Sequence, residues 1–303
     1  MTGRYMAMAA VFCLVSLSCT KEDIVNENVK ERIKVFHAGF ASEQKDTKVY
    51  LDENIKVHWD AQDKVSIFNG TIDNCPFVFT GNQGARTGDF EEDPQYSGGY
   101  DGEATEGGKI YSVYPYMSST SITPQGVISL ELPSVQDYRE KSFGLGANTM
   151  VCKSEDEALM FKNACGFLVF KLYGSGSVTS VTVKSTNGEK ISGNATISFD
   201  GDDVPSVSVN ADGSDEVTIE CGTPVALGDL TAPTEFWFVI PSVTFSGGFS
   251  VTVTGSNGGT FVKTTSKAFS IVRNSILRIA AFEVQLSDGR QISDGEEIDG
   301  GSY

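Results

Sequence analysis

The chain has 303 residues, enough for two domains with cores of their own at roughly 100–200 residues each. Its formal charge of −17 excludes recognition of nucleic acid or anionic lipid head groups through clustered Lys and Arg, and the acids read as a surface charged to stay dispersed. Thirty-two glycines beside abundant Ser, Thr and Val, with no sustained helical period of apolar residues, predict many short strands joined by tight turns.

Residues 7–18 form an apolar run of signal-peptide length, too short to span a bilayer, and Arg4 is the only positive charge before it. Ser18 then precedes Cys19, the small residue before cysteine that a lipoprotein signal peptidase requires. Residues 1–18 are therefore expected to be a lipoprotein signal peptide. Removing them takes away one Arg and no acid, which moves the charge from −17 to −18. The thiol of Cys19 would carry a diacylglycerol and its freed amine a third chain, and two or more chains give stable anchoring. The alternative is an ordinary secretory signal with an incidental cysteine. Residues 19–30 read as a tether with no core of its own.

A first strand is expected over residues 31–40, with Ile33 and Val35 on one phase and Phe36, Ala38 and Phe40 on the other. Residues 41–46 are polar and read as an exposed loop. Ile55, Val57 and Trp59 then alternate with Lys56, His58 and Asp60, a half-buried strand that turns at residues 60–63 into Val65-Ser66-Ile67-Phe68. Asn69-Gly70 closes this hairpin with a dipeptide suited to positive φ. Phe77-Val78-Phe79 is the next strand. Residues 81–108 are polar and Gly-rich, with an acidic stretch at 89–93 and tyrosines at Tyr96 and Tyr100, and so long a connection is usually functional or mobile. Strands resume at 109–116, where Pro115 marks an end or an edge, and at 127–132, stopped by Pro133. Glu155-Asp156-Glu157 reads as a surface join, which puts a domain division between residues 153 and 154. Beyond it, residues 158–172 are apolar on both phases, as in a strand covered on both faces. Further strands follow at 178–183, 195–199, 204–209, 217–220, 236–241, 248–254, 260–269 and 271–286.

Three of these segments carry a family resemblance. The first is Thr47-Lys48 followed by Trp59, then Asp63-Lys64 and Val65-Ser66-Ile67-Phe68. With residues 158–172 and Ile271-Val272-Arg273-Asn274-Ser275-Ile276, it resembles the fimbrillin family of Bacteroidota surface lipoproteins over residues 31–286. One departure is Gln62, which stands where that family has Gly. The resemblance implies an all-β chain of two tandem transthyretin-like β-sandwich domains, at residues 31–153 and 154–288, with an acidic tail at 289–303. Thr20-Lys21-Glu22-Asp23 resembles the short acidic signal that sends such lipoproteins to the outer face of the outer membrane. Lys21, Glu22 and Asp23 are thus the expected export residues. The implied role is a structural or accessory subunit of a pilus-like fibre, with a part in adhesion. In that family a protease is thought to remove the first strand, here residues 31–40, so that a neighbour's terminal strand fills the groove. The processing position would be Lys45, although the family's protease cuts after Arg. The donor would be residues 281–286, where Phe282, Val284 and Leu286 alternate with Glu283 and Gln285. The implied partners are other pilin subunits, the outer membrane through the lipid, and a host or bacterial surface ligand. A second reading is a surface lipoprotein that never polymerises and binds carbohydrate or host protein through residues 81–108.

No catalytic constellation is visible, so no enzyme, metal or cofactor is expected. His37 and His58 lie on strand patterns that turn them outward, with no metal-ligand spacing to a second His or a Cys pair. No G-x-S-x-G elbow, P-loop or H-E-x-x-H occurs. Asp200-Gly201-Asp202-Asp203 offers oxygens for Ca²⁺ but lacks the distal bidentate Glu of an EF-hand, and reads as a polar turn. Cys75, Cys152, Cys165 and Cys221 admit three disulfide connectivities, and Cys165, within an apolar run, also reads as a buried free thiol.

Overall fold

In the computed structural model, residues 35–41, 57–69, 73–98, 108–294 and 298 are described, except for the side chains of Asp202 and Asp294. The chain is all-β: among the described residues every element is a strand apart from one 3-10 turn at Gly201–Asp203. The first five strands are β1 (Val35–Phe40), β2 (Lys64–Asn69), β3 (Cys75–Phe79), β4 (Gly88–Glu92) and β5 (Ile110–Tyr114). Then come β6 (Ser121–Ile122), β7 (Ile128–Leu132), β8 (Val135–Asp137), β9 (Met150–Ser154) and β10 (Ala158–Asn163). Seven of these close into a barrel in the order β1-β10-β9-β5-β2-β3-β4, with β1 parallel to β10 and antiparallel to β4. Closure removes the free edges that an open sheet would present.

Alternation decides what fills the barrel. Phe36, Ile67, Phe77, Phe90 and Phe161 point inward and are buried around Trp59, which is 1% exposed. The Trp59 ring meets Phe40, Phe79, Phe90, Tyr114 and Phe161 at centroid distances from 4.7 to 6.1 Å. The opening hairpin differs from expectation on its first arm, because residues 57–60 are extended but belong to no sheet. The Trp59 N–H donates to the Ala85 carbonyl at 2.9 Å, and its carbonyl accepts from the Gly84 N–H at 2.8 Å. Gln62 adopts φ 70°, the left-handed conformation that a glycine would take at no steric cost. The turn geometry is thus kept without the glycine.

The later strands are β11 (Gly166–Ser175), β12 (Ser177–Ser185), β13 (Gly193–Asp200), β14 (Val204–Val209), β15 (Glu216–Ala226) and β16 (Thr234–Ile240). They are followed by β17 (Val243–Phe245), β18 (Phe249–Gly255), β19 (Thr260–Thr265) and β20 (Phe269–Ile271). The last three are β21 (Ile276–Arg278), β22 (Phe282–Gln285) and β23 (Gln291–Asp294). A six-stranded sheet runs β23-β19-β18-β12-β15-β8, and β11 pairs with β16, β21 and β22. Leu168, Phe170 and Leu172 of β11 enter the core they share with the six-stranded sheet. Phe167 and Val169 enter another core, which also holds Phe68 and Val113 of the barrel and Ile128 of β7. β11 is therefore covered on both faces. The apolar run at 158–172 is not one strand, however: a bend at Ala164-Cys165 leaves residues 158–163 in the barrel as β10. Strand pairing crosses the expected division at 153/154 through β1–β10, β9–β10, β7–β13 and β8–β15.

Two further segments differ from the sequence reading. The acidic stretch at 89–93, expected within a long loop, supplies β4, with Phe90 inward and flanking acids outward. Within the expected tail, Gln291–Asp294 pairs in parallel with β19, and Ile298 is 1% exposed in the core. One side chain completes an edge. Gln136 of β8, buried, donates from Nε2 to the Val239 carbonyl at 2.8 Å and accepts at Oε1 from the Val239 N–H at 3.0 Å. It thereby occupies both backbone groups that Val239 turns away from β11.

Candidate functional site

β1 is a single strand lying in a slot between β4 and β10. On one side His37, Ala38, Gly39 and Phe40 face Ala158, Leu159, Met160 and Phe161 in parallel register. On the other, Val35, Phe36, His37 and Ala38 face Glu91, Phe90, Asp89 and Gly88 in antiparallel register. Backbone bonds from the His37 N–H to the Glu157 carbonyl and from the Ala41 N–H to the Phe161 carbonyl, both 2.9 Å, fix the two ends.

Inside the slot Phe36 is fully buried and meets Phe77 edge-on at 5.1 Å. Ala38 lies behind it at 3% exposure, where only a small side chain is offered. Phe40 stacks on Trp59 at 4.7 Å and lies 5.6 Å beneath the Arg86 guanidinium. Of the two phases that the sequence offers here, the one that turns inward is that of Phe36, Ala38 and Phe40. Ile33 lies outside the described residues, Val35 is half-buried, and Phe36 is the inward anchor. Outside the barrel, the His37 Nδ1 is 2.6 Å from Asp89 Oδ1. Both side chains are at least half exposed, so the pair adds little stability. Burying Phe36 contributes about 1.5–3 kcal/mol. Withdrawing β1 would forfeit that amount and unpair two strand edges at once. The outgoing end of β4 is pinned independently: Lys64 Nζ donates to Asp93 Oδ2 at 2.7 Å and the Gln95 N–H to Oδ1 at 3.0 Å. The Lys64 bond first, and the Gln95 bond second, hold the Asp93 carboxyl below the usual carboxylate range.

At the other end of the chain, β22 is a core strand. It pairs in parallel with β11 from Leu172↔Phe282 to Ser175↔Gln285, with Phe282 at 8% and Val284 at 0% exposure. Gly174 of β11, at φ 143°, makes this approach possible, since a Cβ there would collide with the Val284 carbonyl oxygen. β23, by contrast, is the outermost strand of its sheet among the described residues.

Cys19, Lys21, Glu22, Asp23 and Lys45 lie outside the described residues. His37 and His58 are both exposed and each has its own contact, His58 through Nδ1 to the Gly84 carbonyl at 2.8 Å. Asp203 of the candidate Ca²⁺ turn accepts from Lys153 Nζ at 2.7 Å, and its carbonyl accepts from Lys162 Nζ at 2.9 Å. That is an ion-paired turn. Among the described residues no three His, Cys, Asp or Glu side chains gather as metal ligands. Cys75, Cys152, Cys165 and Cys221 form no disulfide with one another. Of the slot's two walls, β10 fell within the strand expected at 158–172, while β4 was read as loop, and the lone Phe90 between acids is the signal that marks it.

No family model matches the chain, and no curated protein matches it in sequence. Several solved structures are similar. A proposed cell-adhesion protein from Bacteroides ovatus aligns with TM-score 0.45 and 11% identity, over 74% of this chain and 84% of its own. One from Bacteroides uniformis aligns with TM-score 0.45 and 14% identity, over 84% and 98%. A fimbrial protein from Bacteroides ovatus aligns with TM-score 0.30 and 14% identity, over 80% of this chain and 47% of its own.

Proposed function

We propose that this protein is a fimbrillin-like surface lipoprotein, a structural or accessory subunit of an adhesive fibre that assembles by exchange of β1. The observation that carries the reading is the seating of β1: the first described strand, with one fully buried aromatic anchor, between two strands that would otherwise be edges. A slot of this kind selects its replacement by backbone pairing on both sides and by an aromatic at the Phe36 position. In this reading Cys19 carries the lipid, Lys21, Glu22 and Asp23 direct the protein to the outer face of the outer membrane, and processing at Lys45 frees the strand. The body is a pair of tandem transthyretin-like units, the first of them the closed barrel. The donor is better sought at β23 than at residues 281–286, because β23 lies at the described edge of its sheet with Ile292 only half-buried, whereas Phe282 and Val284 are core residues.

The test is to replace residues 42–46 with the recognition sequence of a specific protease, cleave the purified protein, and follow SDS-resistant oligomers and negative-stain images. Cleavage should yield fibres or ladders, and an excess of a synthetic peptide of residues 31–41 should suppress them. A cleaved chain that has lost β1 and stays monomeric would end the strand-exchange reading and favour a surface binder that never polymerises.

A further inference from the structure

We propose that a cleft beside the barrel mouth, between Trp59–Asp63 and the connection leading into β9, is a binding site for a neutral saccharide. The cleft encloses about 550 Å³ and is bounded by residues 57–63, the turn at Gln83-Gly84, Tyr114 and residues 139–148. That volume lies within the range of ligand sites, about 300–1,000 Å³. The connection is preformed. Gly144 folds so closely onto Asp137 that a Cβ would strike the Asp137 carbonyl, and Arg139 and Ser142 form an antiparallel bridge across Lys141 at φ 54°.

Two buried polar atoms on lining residues are without a hydrogen-bond partner among the described residues. Asn148, 1% exposed, donates from Nδ2 to Asn163 Oδ1 at 2.8 Å, but its own Oδ1 is unmatched. Trp59, also 1% exposed, has an unmatched Nε1. Both atoms are closed to solvent, so they are features of the cleft wall and not contacts for a ligand, and the groups that a ligand would meet are the ones that line the open space.

The other polar groups are loosely committed. Asp60 Oδ2 is 3.6 Å from Arg139 Nη1, and Asp60 Oδ1 accepts from Gln83 Nε2 at 3.4 Å, both long enough to yield to a better partner. Asp63 is held in place, accepting from the Asp60 N–H at 2.8 Å and from the Tyr114 hydroxyl at 3.0 Å. Carboxylates, a guanidinium and amides interleaved at this spacing suit vicinal hydroxyls, each of which donates and accepts. An apolar wall completes the match: Phe143, stacked on Phe167 at 5.3 Å, and Leu145, left 62% exposed, offer a surface to the C–H face of a sugar ring. Asp60, Asp63 and Glu140 against one Arg disfavour an anion, and Arg139 beside Asp60 offsets part of that negative charge.

The site gives a ligand class to the adhesive part of the proposed role, and it lies apart from residues 81–108, where the sequence reading sought a binding loop. Its test uses the uncleaved monomer, so its failure and the failure of strand exchange are separable. The full chain in detergent is examined by saturation-transfer NMR with mannose, galactose, N-acetylglucosamine and fucose in turn, each at millimolar concentration. Nα-acetyl-lysine amide serves as the cationic control. At least one sugar should receive saturation, and Asp60→Asn and Arg139→Ala should each weaken its binding tenfold or more without moving the thermal midpoint. Arg139 is half exposed, so that second variant tests the site even if the first misfolds. No transfer to any of the four sugars, transfer unchanged in Arg139→Ala, or binding of the lysine amide in their place would overturn the proposal.

Discussion

Where the chain can be cut without losing the fold is set by β22. The sequence reading expects a chain lacking residues 281–303 to remain a folded monomer, because it treats that segment as a displayed donor. Phe282 is instead seated against Phe170 and Phe261, each at 6.3 Å, beneath the Lys263 ammonium at 5.4 Å, and Val284 is wholly buried. Removing a buried Phe costs about 3–5 kcal/mol, and losing a buried Val about 1.5–3 more. The total of roughly 5–8 kcal/mol rivals the whole stability of an ordinary domain, about 5–15 kcal/mol. A chain ending at residue 287 keeps β22 and loses β23 and Ile298, about 2–4 kcal/mol by the same measure. Urea titration followed by tryptophan fluorescence should therefore rank the midpoints as full chain, then the chain ending at 287, then the chain ending at 280. The shortest should be largely unfolded at low urea. Equal midpoints for the two truncations would refute the placement of β22 in the core, and the original donor would regain its standing.

Three other outcomes follow from contacts described above or nearby. Gln136→Ala leaves the Val239 N–H and carbonyl buried without partners, and at about 1–3 kcal/mol for each orphaned group the urea midpoint should fall by an amount equivalent to about 2–6 kcal/mol. An unchanged midpoint would mean that water reaches that edge. Burial pushes the Cys152 and Cys165 thiols up to about 12 and that of Cys221 to about 11, so a thiol reagent at mildly alkaline pH should label Cys221 first. Fast labelling of Cys165 in the native protein would contradict its burial. At Glu189, burial raises the pKa, but hydrogen bonds from Ser185 Oγ, from Ser246 Oγ at 2.5 Å and from the Ser246 N–H at 2.9 Å outweigh it and bring it to about 2. A depressed carboxylate contributes stability above its unfolded pKa, near 4.5, that is lost as pH falls towards 2. Discounted for solvent, the contribution is about 1 kcal/mol. Glu189→Gln should lower the urea midpoint at pH 7 by that amount and make no difference in strong acid, and an equal loss at both pH values would assign the effect to packing.

How much of this was legible in sequence depended on whether neighbouring side chains carried the signal. Trp59 and the inward residues of β2, β3 and β5 announced themselves, since alternation with polar neighbours is a property of one strand alone. β4 did not, because its only inward residue is Phe90, and the acids beside it read as loop until β1 and β3 are placed on either side. The apolar run at 158–172 was recognisable as buried, yet periodicity cannot show that Ala164-Cys165 bends it into two sheets. For the same reason β22 looked like a spare amphipathic strand: its polar phase, Glu283 and Gln285, is exposed while its apolar phase enters a core built by residues a hundred positions earlier. The cleft was invisible, because its walls come from residues 57–63 and 139–148, which only the closed barrel brings together.

The parallel pairing of β1 with β10 also sets a timetable. β1 is the earliest described strand to leave the ribosome, yet the barrel cannot close around it until Asn163 has been made, since its parallel partner spans Ala158–Asn163. Joining strands so far apart costs chain entropy before it returns any contact, and such pairings form late. The other six barrel strands lie side by side from β10 through β9, β5, β2 and β3 to β4, so they can associate while the slot is still open. The first described strand is thus seated on both sides only once its latest partner has been made, and until then the slot stays open on that side to any suitable segment.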